Sequence, residues 1–326
     1  MNDYSVGFNE VKSIKDTRGV SLKDFLRTLE INYFEVWFSI ICAYVALFSI
    51  CYLIVKIDTE SVVLFSVVVM LSGILIGFVV AYLSLFFHEA AHYNVARNKS
   101  LNDLLANIFI GVLVGQDIKS YRPIHMRHHL YLGTVKDTEN SYFNALTPVF
   151  ILKSISGIYV VEVLVSRFKN SKIIEGRGER GKGYFNFVTF LGVLFHISIV
   201  IFAYWIGCFS LAVSWVFGMF FVFPFLGAVR QIIEHRDNTS DSNIDYKIID
   251  HGAFTRNFGR GLFARLFGGA GFNLHLLHHW LPNVSYTCFY ELEDFLLDTE
   301  LAGILYERDS SYSEVFNNLL ASNGGG

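Results

Sequence analysis

The chain has 326 residues, 53% of them hydrophobic and 17% charged, with a mean hydropathy of +0.42. Soluble domains carry about a quarter charged residues, so this deficit excludes an ordinary soluble protein and points to the membrane. The net charge of −3 offers no basic face for nucleic acid, and four cysteines without a Cys-x-x-Cys pair encode neither a disulfide framework nor an iron–sulfur cluster.

Residues 1–35 are polar and lack the apolar stretch of a secretory signal, so they are expected as a cytosolic N-terminal segment. From Val36 to Val55 there is no charge, a length that lets a helix cross the hydrocarbon core, and a first span is expected at 36–55. A second uncharged run, Ser61 to Phe87, gives a span at 62–87 and leads into His88 without a helix breaker. The same helix is therefore expected to continue past the membrane. Leu104 to Gln116 is too short to cross, and Ser154 to Val161 is bounded by Lys153 and Glu162; both read as interfacial or re-entrant helices.

Between Lys182 and Arg230 lie 47 residues without a formal charge, interrupted near Gly207-Cys208. Two spans joined by a tight turn are expected there, at 184–206 and 208–229, the second running on past Pro224 and Gly227 to His235. The expected fold is all-α: an integral membrane domain over 36–299 with about four transmembrane helices and a cytosolic histidine-rich helical cap holding a metal site. Residues 300–326 are expected as a C-terminal tail whose closing Gly324-Gly325-Gly326 has no assigned function.

Basic residues give the orientation. The connection after the first span holds one lysine, Lys56, and the turn after the third holds none. The other side holds Lys12, Lys15, Arg18, Lys23 and Arg27, then Arg97, Lys99, Lys119, Arg122, Arg127 and Lys136, and the basic loop 167–182. The positive-inside rule places both termini and every long loop in the cytoplasm.

Eight of the eleven histidines fall in three boxes on that side: His88-Glu-Ala-Ala-His92, His125-Met-Arg-His128-His129 and His275-Leu-Leu-His278-His279. Histidines three or four apart share one helix face, and imidazole is the commonest nitrogen ligand of transition metals. His235, at the mouth of the fourth span, is a ninth candidate ligand. Nine imidazoles exceed what one ion takes, so two ions with four or five nitrogen donors each are expected. Iron makes such a pair useful because it activates oxygen, with manganese and zinc still open.

Ligating imidazoles need their other nitrogen held, and Glu89, Asp137, Glu139 and Glu234 stand near the boxes, Glu139 reading also as a solvated surface residue. Arg127 stays protonated and is expected to meet an anionic head group or a carboxylate. His196 lies mid-span, far from the boxes, and is expected as a neutral, hydrogen-bonded group. His251, on a loop, is expected at the surface or behind the ligands rather than on metal.

These boxes resemble those of the integral-membrane fatty acid desaturase superfamily, whose pattern is HxxxH, HxxHH and HxxHH. The run Asn273-Leu-His275-Leu-Leu-His278-His279-Trp-Leu-Pro282-Asn-Val-Ser-Tyr286 is similar to that family's NxHxxHHxxPxxxY ending, and Glu234-His235 is similar to its isolated ligand. The resemblance implies a non-haem centre of two irons held by His88, His92, His125, His128, His129, His235, His275, His278 and His279, using O2 as co-substrate. It also implies a lipid or acyl substrate in an apolar tunnel, and an external electron donor of ferredoxin or cytochrome b5 type with its reductase. Asn273 joins the candidates that orient ligands. So does Gln231, standing where some acyl-CoA members carry an asparagine linked to iron through water. His275 opening the third box, with no fused cytochrome b5 domain, argues against the front-end subgroup.

The expected activity is O2-dependent desaturation of a fatty acyl chain. The alternative on the same scaffold is a hydroxylase or ketolase, since all begin with one hydrogen abstraction and differ by small shifts of substrate position. A zinc hydrolase is more remote: His88-Glu-Ala-Ala-His92 fits HExxH, but the other two boxes have no place in such a site. A metal transporter is equally remote, because its ligands belong near the bilayer midplane.

Overall fold

The computed structural model describes residues 14–57, 59, 61–159, 161–162, 186–237, 244 and 255–323. Among them the chain is helical, with isolated bridges such as Asn257 to Asp309 in place of strands. A short α1 (Leu22–Leu26) precedes α2 (Tyr33–Ile57) and α3 (Val62–Ala91). Next come α4 (Lys99–Val114), α5 (Ile118–Tyr131) and α6 (Pro148–Ile155). The remaining long helices are α7 (Phe187–Trp205) and α8 (Phe209–His235). The chain closes with α9 (Leu262–Phe267), α10 (His275–Trp280), α11 (Phe289–Leu297), α12 (Ala302–Glu307) and α13 (Tyr312–Asn323).

Four helices, α2, α3, α7 and α8, are long and apolar enough to cross a membrane. Their outward faces are apolar, and Tyr204 and Trp205 stand exposed at the end of α7, where amphipathic rings suit the head-group layer. Gly207, at φ +75°, makes the tight turn into α8.

With lipid on the outside, spans associate through close backbone approach rather than hydrophobic burial. Gly73 and Gly77 of α3 face Gly218 of α8: a Cβ on Gly77 would lie 2.5 Å from the Val222 Cβ and 2.8 Å from the Gly218 carbonyl oxygen. Ser72 donates to Ser214 across the same seam at 2.8 Å. Residues Gly218–Val222 form a π turn just before Pro224, whose missing N–H the irregular turn accommodates.

The stretch expected to be re-entrant is the end of α4, which bends 86° into α5 at Gly115 (φ +67°). Spans hold it from both sides. The His196 Nε2 donates to the Leu113 carbonyl at 3.0 Å, while its Nδ1 accepts from the Trp215 indole at 3.1 Å. Those two bonds fix a neutral tautomer, so His196 is the hydrogen-bonded group expected. Thr189 donates to the Gly115 carbonyl at 3.0 Å.

The segment from 300 onward is more than a tail. α12 and α13 fold back onto the cap, burying Leu305, Tyr312, Val315 and Leu319. At the other end of the chain, Ile14 and Leu22 are buried with Leu277, Trp280 and Leu296 beneath the third box.

If the glycine seam holds α3 against α8, Gly77→Leu overpacks it at a cost of about 1–3 kcal/mol. The expected result is a lower melting temperature in detergent, whereas Gly303→Ala, where a Cβ meets open space, leaves melting unchanged or raises it.

Candidate metal centre

α3 ends at the first box. His88 lies in its last turn, His92 is its C-cap, and Tyr93 follows in the left-handed region at φ +65°. The carbonyls left open at this helix end are taken by side chains. Asn102 donates to the Ala90 oxygen at 2.9 Å, and Arg122 donates to those of Ala91 (2.8 Å) and Ala90 (3.0 Å). Arg122 also pairs with Asp103 and covers the Tyr93 ring at 3.8 Å. Because Arg122 belongs to α5, this cap ties the first box to the helix carrying the second.

On α5, His125 and His128 are buried and His129 is half-buried. The loop after α5 supplies carboxylates. Asp137 meets the His128 Nδ1 at 2.9 Å and accepts from the Tyr142 hydroxyl at 2.6 Å; Glu139 meets the His125 Nδ1 at 3.2 Å. Carboxylates accept, so these contacts assign the hydrogen to Nδ1 and turn the Nε2 lone pair inward.

Two groups result. Ligand nitrogens of His88, His92, His125, His129 and His278 all lie within 4.8 Å of one another, as do those of His128, His235 and His279. The Nε2 of His275 lies 3.0 Å from that of His235, which attaches it to the second group. All nine expected histidines are thus brought together, from α3, α5, α8 and α10.

The donor set fits metal. Nε2 atoms follow one another from His92 to His125 (2.9 Å), to His129 (2.9 Å) and to His278 (3.0 Å). An imidazole nitrogen carrying hydrogen cannot accept, and one without hydrogen cannot donate. Each ring nitrogen holds one hydrogen or one lone pair and so makes one such bond, and the three contacts of this row cannot all be hydrogen bonds. Six of the nine histidines also have a buried ring nitrogen without a hydrogen-bond partner: His88, His92, His129, His235, His275 and His279. Of these, His279 leaves its Nε2 unpaired and the other five their Nδ1; a cation among the inward-facing Nε2 atoms would take lone pairs that hydrogen bonds cannot.

Protonation favours the same outcome. Burial, reinforced by neighbouring histidines, holds His129, His275, His278 and His279 well below the usual imidazole range. His92 is likewise held well below it by burial and the nearby His125, and His125 is lowered by burial against the pull of Glu139. Burial works against charging His128 too, but the adjoining Asp137 outweighs it and the net shift is upward. Neutral imidazoles are what a metal ion requires.

Other expected residues sit differently. Glu89 is 3.9 Å from the His88 Nδ1 and instead accepts from Asn94 (3.1 Å) and the Tyr286 amide (3.3 Å). Glu234 pairs with Arg230 at 2.9 Å, its second oxygen standing 4.0 Å from the His275 Nε2. Asn273 points away from the rings and donates to the Gly259 carbonyl at 2.8 Å. Gln231 is half-buried, one turn before His235. Arg127, expected to meet an anion, lies 5.7 Å from the centre of the Tyr131 ring. Glu139, also readable as solvated surface, reaches His125, and His251 lies outside the described residues.

Sequence reasoning missed Phe272 and Tyr142. Phe272 packs its ring on His88 (4.6 Å between centroids), His275 (4.9 Å) and His278 (5.8 Å), touching both groups. In a chain with 32 phenylalanines, adjacency to Asn273 is the one signal that pointed to it.

The fatty acid desaturase family model matches residues 65–305, about three quarters of the chain. This protein belongs to the fatty acid desaturase family. The matched stretch contains every histidine of the two groups. It is therefore a membrane oxidoreductase of the desaturase and oxygenase type, acting on lipid, with a buried histidine cluster able to hold metal.

In this desaturase-family enzyme, Asp137→Ala removes the acceptor on His128 and frees its ring. Metal binding is expected to weaken roughly 10–100-fold, as loss of such a carboxylate does elsewhere, read by anaerobic Fe(II) titration.

Proposed function

We propose that this protein desaturates a fatty acyl chain of a lipid or acyl thioester, with two iron ions held by His88, His92, His125, His128, His129, His235, His275, His278 and His279. The observation that carries this reading is the two-lobed convergence of nine histidines, with five nitrogens in one group and four around the other. Such a pair of irons, when bound, supplies the activation of O2 needed to take hydrogen from an unactivated C–H bond.

The chain's own residues do the rest. Asp137 and Glu139 hold hydrogens at the outer nitrogens of His128 and His125, so both rings present fixed lone pairs. Phe272, buried against His88, His275 and His278, keeps bulk water out. On the membrane side, Phe78, Tyr82, Leu226, Leu266 and Arg230 line a cleft between α3, α8 and α9. It is closed to about 10 Å³, room for one water-sized sphere, so an acyl chain would enter by displacing these side chains.

The distribution of lysine and arginine supports a cytosolic centre with both termini on the same side. A soluble carrier of ferredoxin or cytochrome b5 type, with its reductase, would deliver the two electrons there. Catalysis is assigned to the membrane domain, 36–299.

The test compares lipid mass spectra of cells expressing the wild type and His128→Ala. The expected product is two hydrogens lighter than its precursor and disappears in the mutant. A product heavier by one oxygen makes the enzyme a hydroxylase with the same centre, and identical spectra from both cultures overturn the assignment.

A further inference from the structure

We propose that α13, which lies beyond the residues matched to the family, clamps the third histidine box, and that Tyr312 is its positioning residue. The proposal rests on the reading of that box as metal-holding. Tyr312 is buried, and its hydroxyl donates to the Phe272 carbonyl at 3.2 Å. Phe272 opens the turn that leads into His275, and its ring lies against His88, His275 and His278. The hydroxyl therefore fixes the backbone whose side chain orders imidazoles of both groups.

The Tyr312 ring is itself held on two sides. It stacks face to face on Phe258 at 3.8 Å between centroids and meets Phe267 edge-on at 4.7 Å. The strap 255–258 then joins the C-terminal segment to the box by backbone bonds. Asn257 donates to the Arg308 oxygen (3.0 Å) and accepts from the Ser310 amide (3.0 Å). Phe258 donates to the Asn273 oxygen (2.7 Å), and the Arg256 oxygen accepts from the Leu276 amide (3.0 Å). Gly268 leaves the room this needs, since a Cβ there would stand 2.5 Å from the Asn273 nitrogen and strike the Tyr312 hydroxyl.

The same helix reaches the other ligand-bearing element. Val315 and Leu319 are buried in one cluster with Val229, Ile232 and Ile233 of α8, just before His235. α13 thus packs against both the helix that carries His235 and the turn that sets His275, whose Nε2 atoms are 3.0 Å apart. A helix with no ligand of its own fixes the spacing between two that have them.

The experiment uses full-length protein in detergent, loaded anaerobically with Fe(II), and follows iron per chain, iron release to excess chelator, the ligand-field spectrum and the melting temperature. Tyr312→Phe keeps the ring and removes the hydroxyl. It is expected to speed iron release about fivefold, the worth of one net hydrogen bond, and to shift the spectrum. Phe258→Leu keeps the hydroxyl, loosens the stack, and is expected to act in the same direction by about twofold. Leu47→Ala, a cavity in the remote α2, is expected to lower melting and leave iron release unchanged. Release from Tyr312→Phe equal to wild type, or matched by Leu47→Ala, overturns the clamp while leaving the metal reading intact. Wild-type protein that binds less than one iron per chain overturns the metal reading and the clamp with it.

Discussion

Nine imidazoles crowded into a space that water scarcely enters set ring nitrogen against ring nitrogen, and the rest of the cap is arranged to hold them there. The Nε2 row from His92 to His278 cannot be satisfied by hydrogen bonds alone, so its geometry has to be imposed from outside. Two of the ligand-bearing helices, α3 and α5, are accordingly fastened by polar side chains at or beyond their ends. Asn102 and Arg122 take the open carbonyls of α3, and the loop carboxylates take the outer nitrogens on α5. These groups make the site rigid before any ion arrives, which is what tight and selective metal binding requires.

The spans supply the foundation. α3 is 30 residues long, about 45 Å, against a hydrocarbon core of about 30 Å, so its last turns carry the first box beyond the bilayer. α8 does the same for His235. Both helices start from a seam of glycines and serines where backbone touches backbone, so small errors of tilt at the far end are suppressed. His196, in mid-membrane, is used as a brace: with the Trp215 indole and the Leu113 carbonyl it pins the bend between α4 and α5 that aims the second box.

Burial and charge act on the same rings in opposite senses. Most imidazoles are pushed toward the neutral form by desolvation, while Asp137, with Glu139 and Glu234 acting in the same sense, draws the net shift of His128 upward. Asp137, fully buried, turns the His128 shift upward, whereas the partly exposed Glu139 leaves His125 lowered, so the two groups have unequal surroundings although their ligands are chemically identical. That asymmetry comes from a single loop, 132–139, whose residues carry no periodic pattern.

The amino-acid sequence determined the all-helical membrane class, because a span needs an unbroken apolar length and uncharged runs are visible without any folding. It marked eight of the histidines, since spacings of three and four put them on single helix faces whatever the tertiary contacts are, and pointed to His235 by its place at the mouth of a span. It did not determine which of the neighbouring polar residues face those rings. Glu89 and Asn273 stand beside ligands in the chain yet turn to backbone amides and carbonyls, while Glu139, fourteen positions from His125, reaches it. Tyr312 gave no signal and Phe272 none beyond its adjacency to Asn273, because an aromatic residue in an aromatic-rich chain looks like packing until its neighbours are known. The division of the cluster into five nitrogens and four, and the folding of 302–323 onto it, were likewise decided by tertiary structure. Ligand identity is a property of side-chain type and local periodicity; ligand orientation is a property of what the other helices bring alongside, and only the assembled fold specifies it.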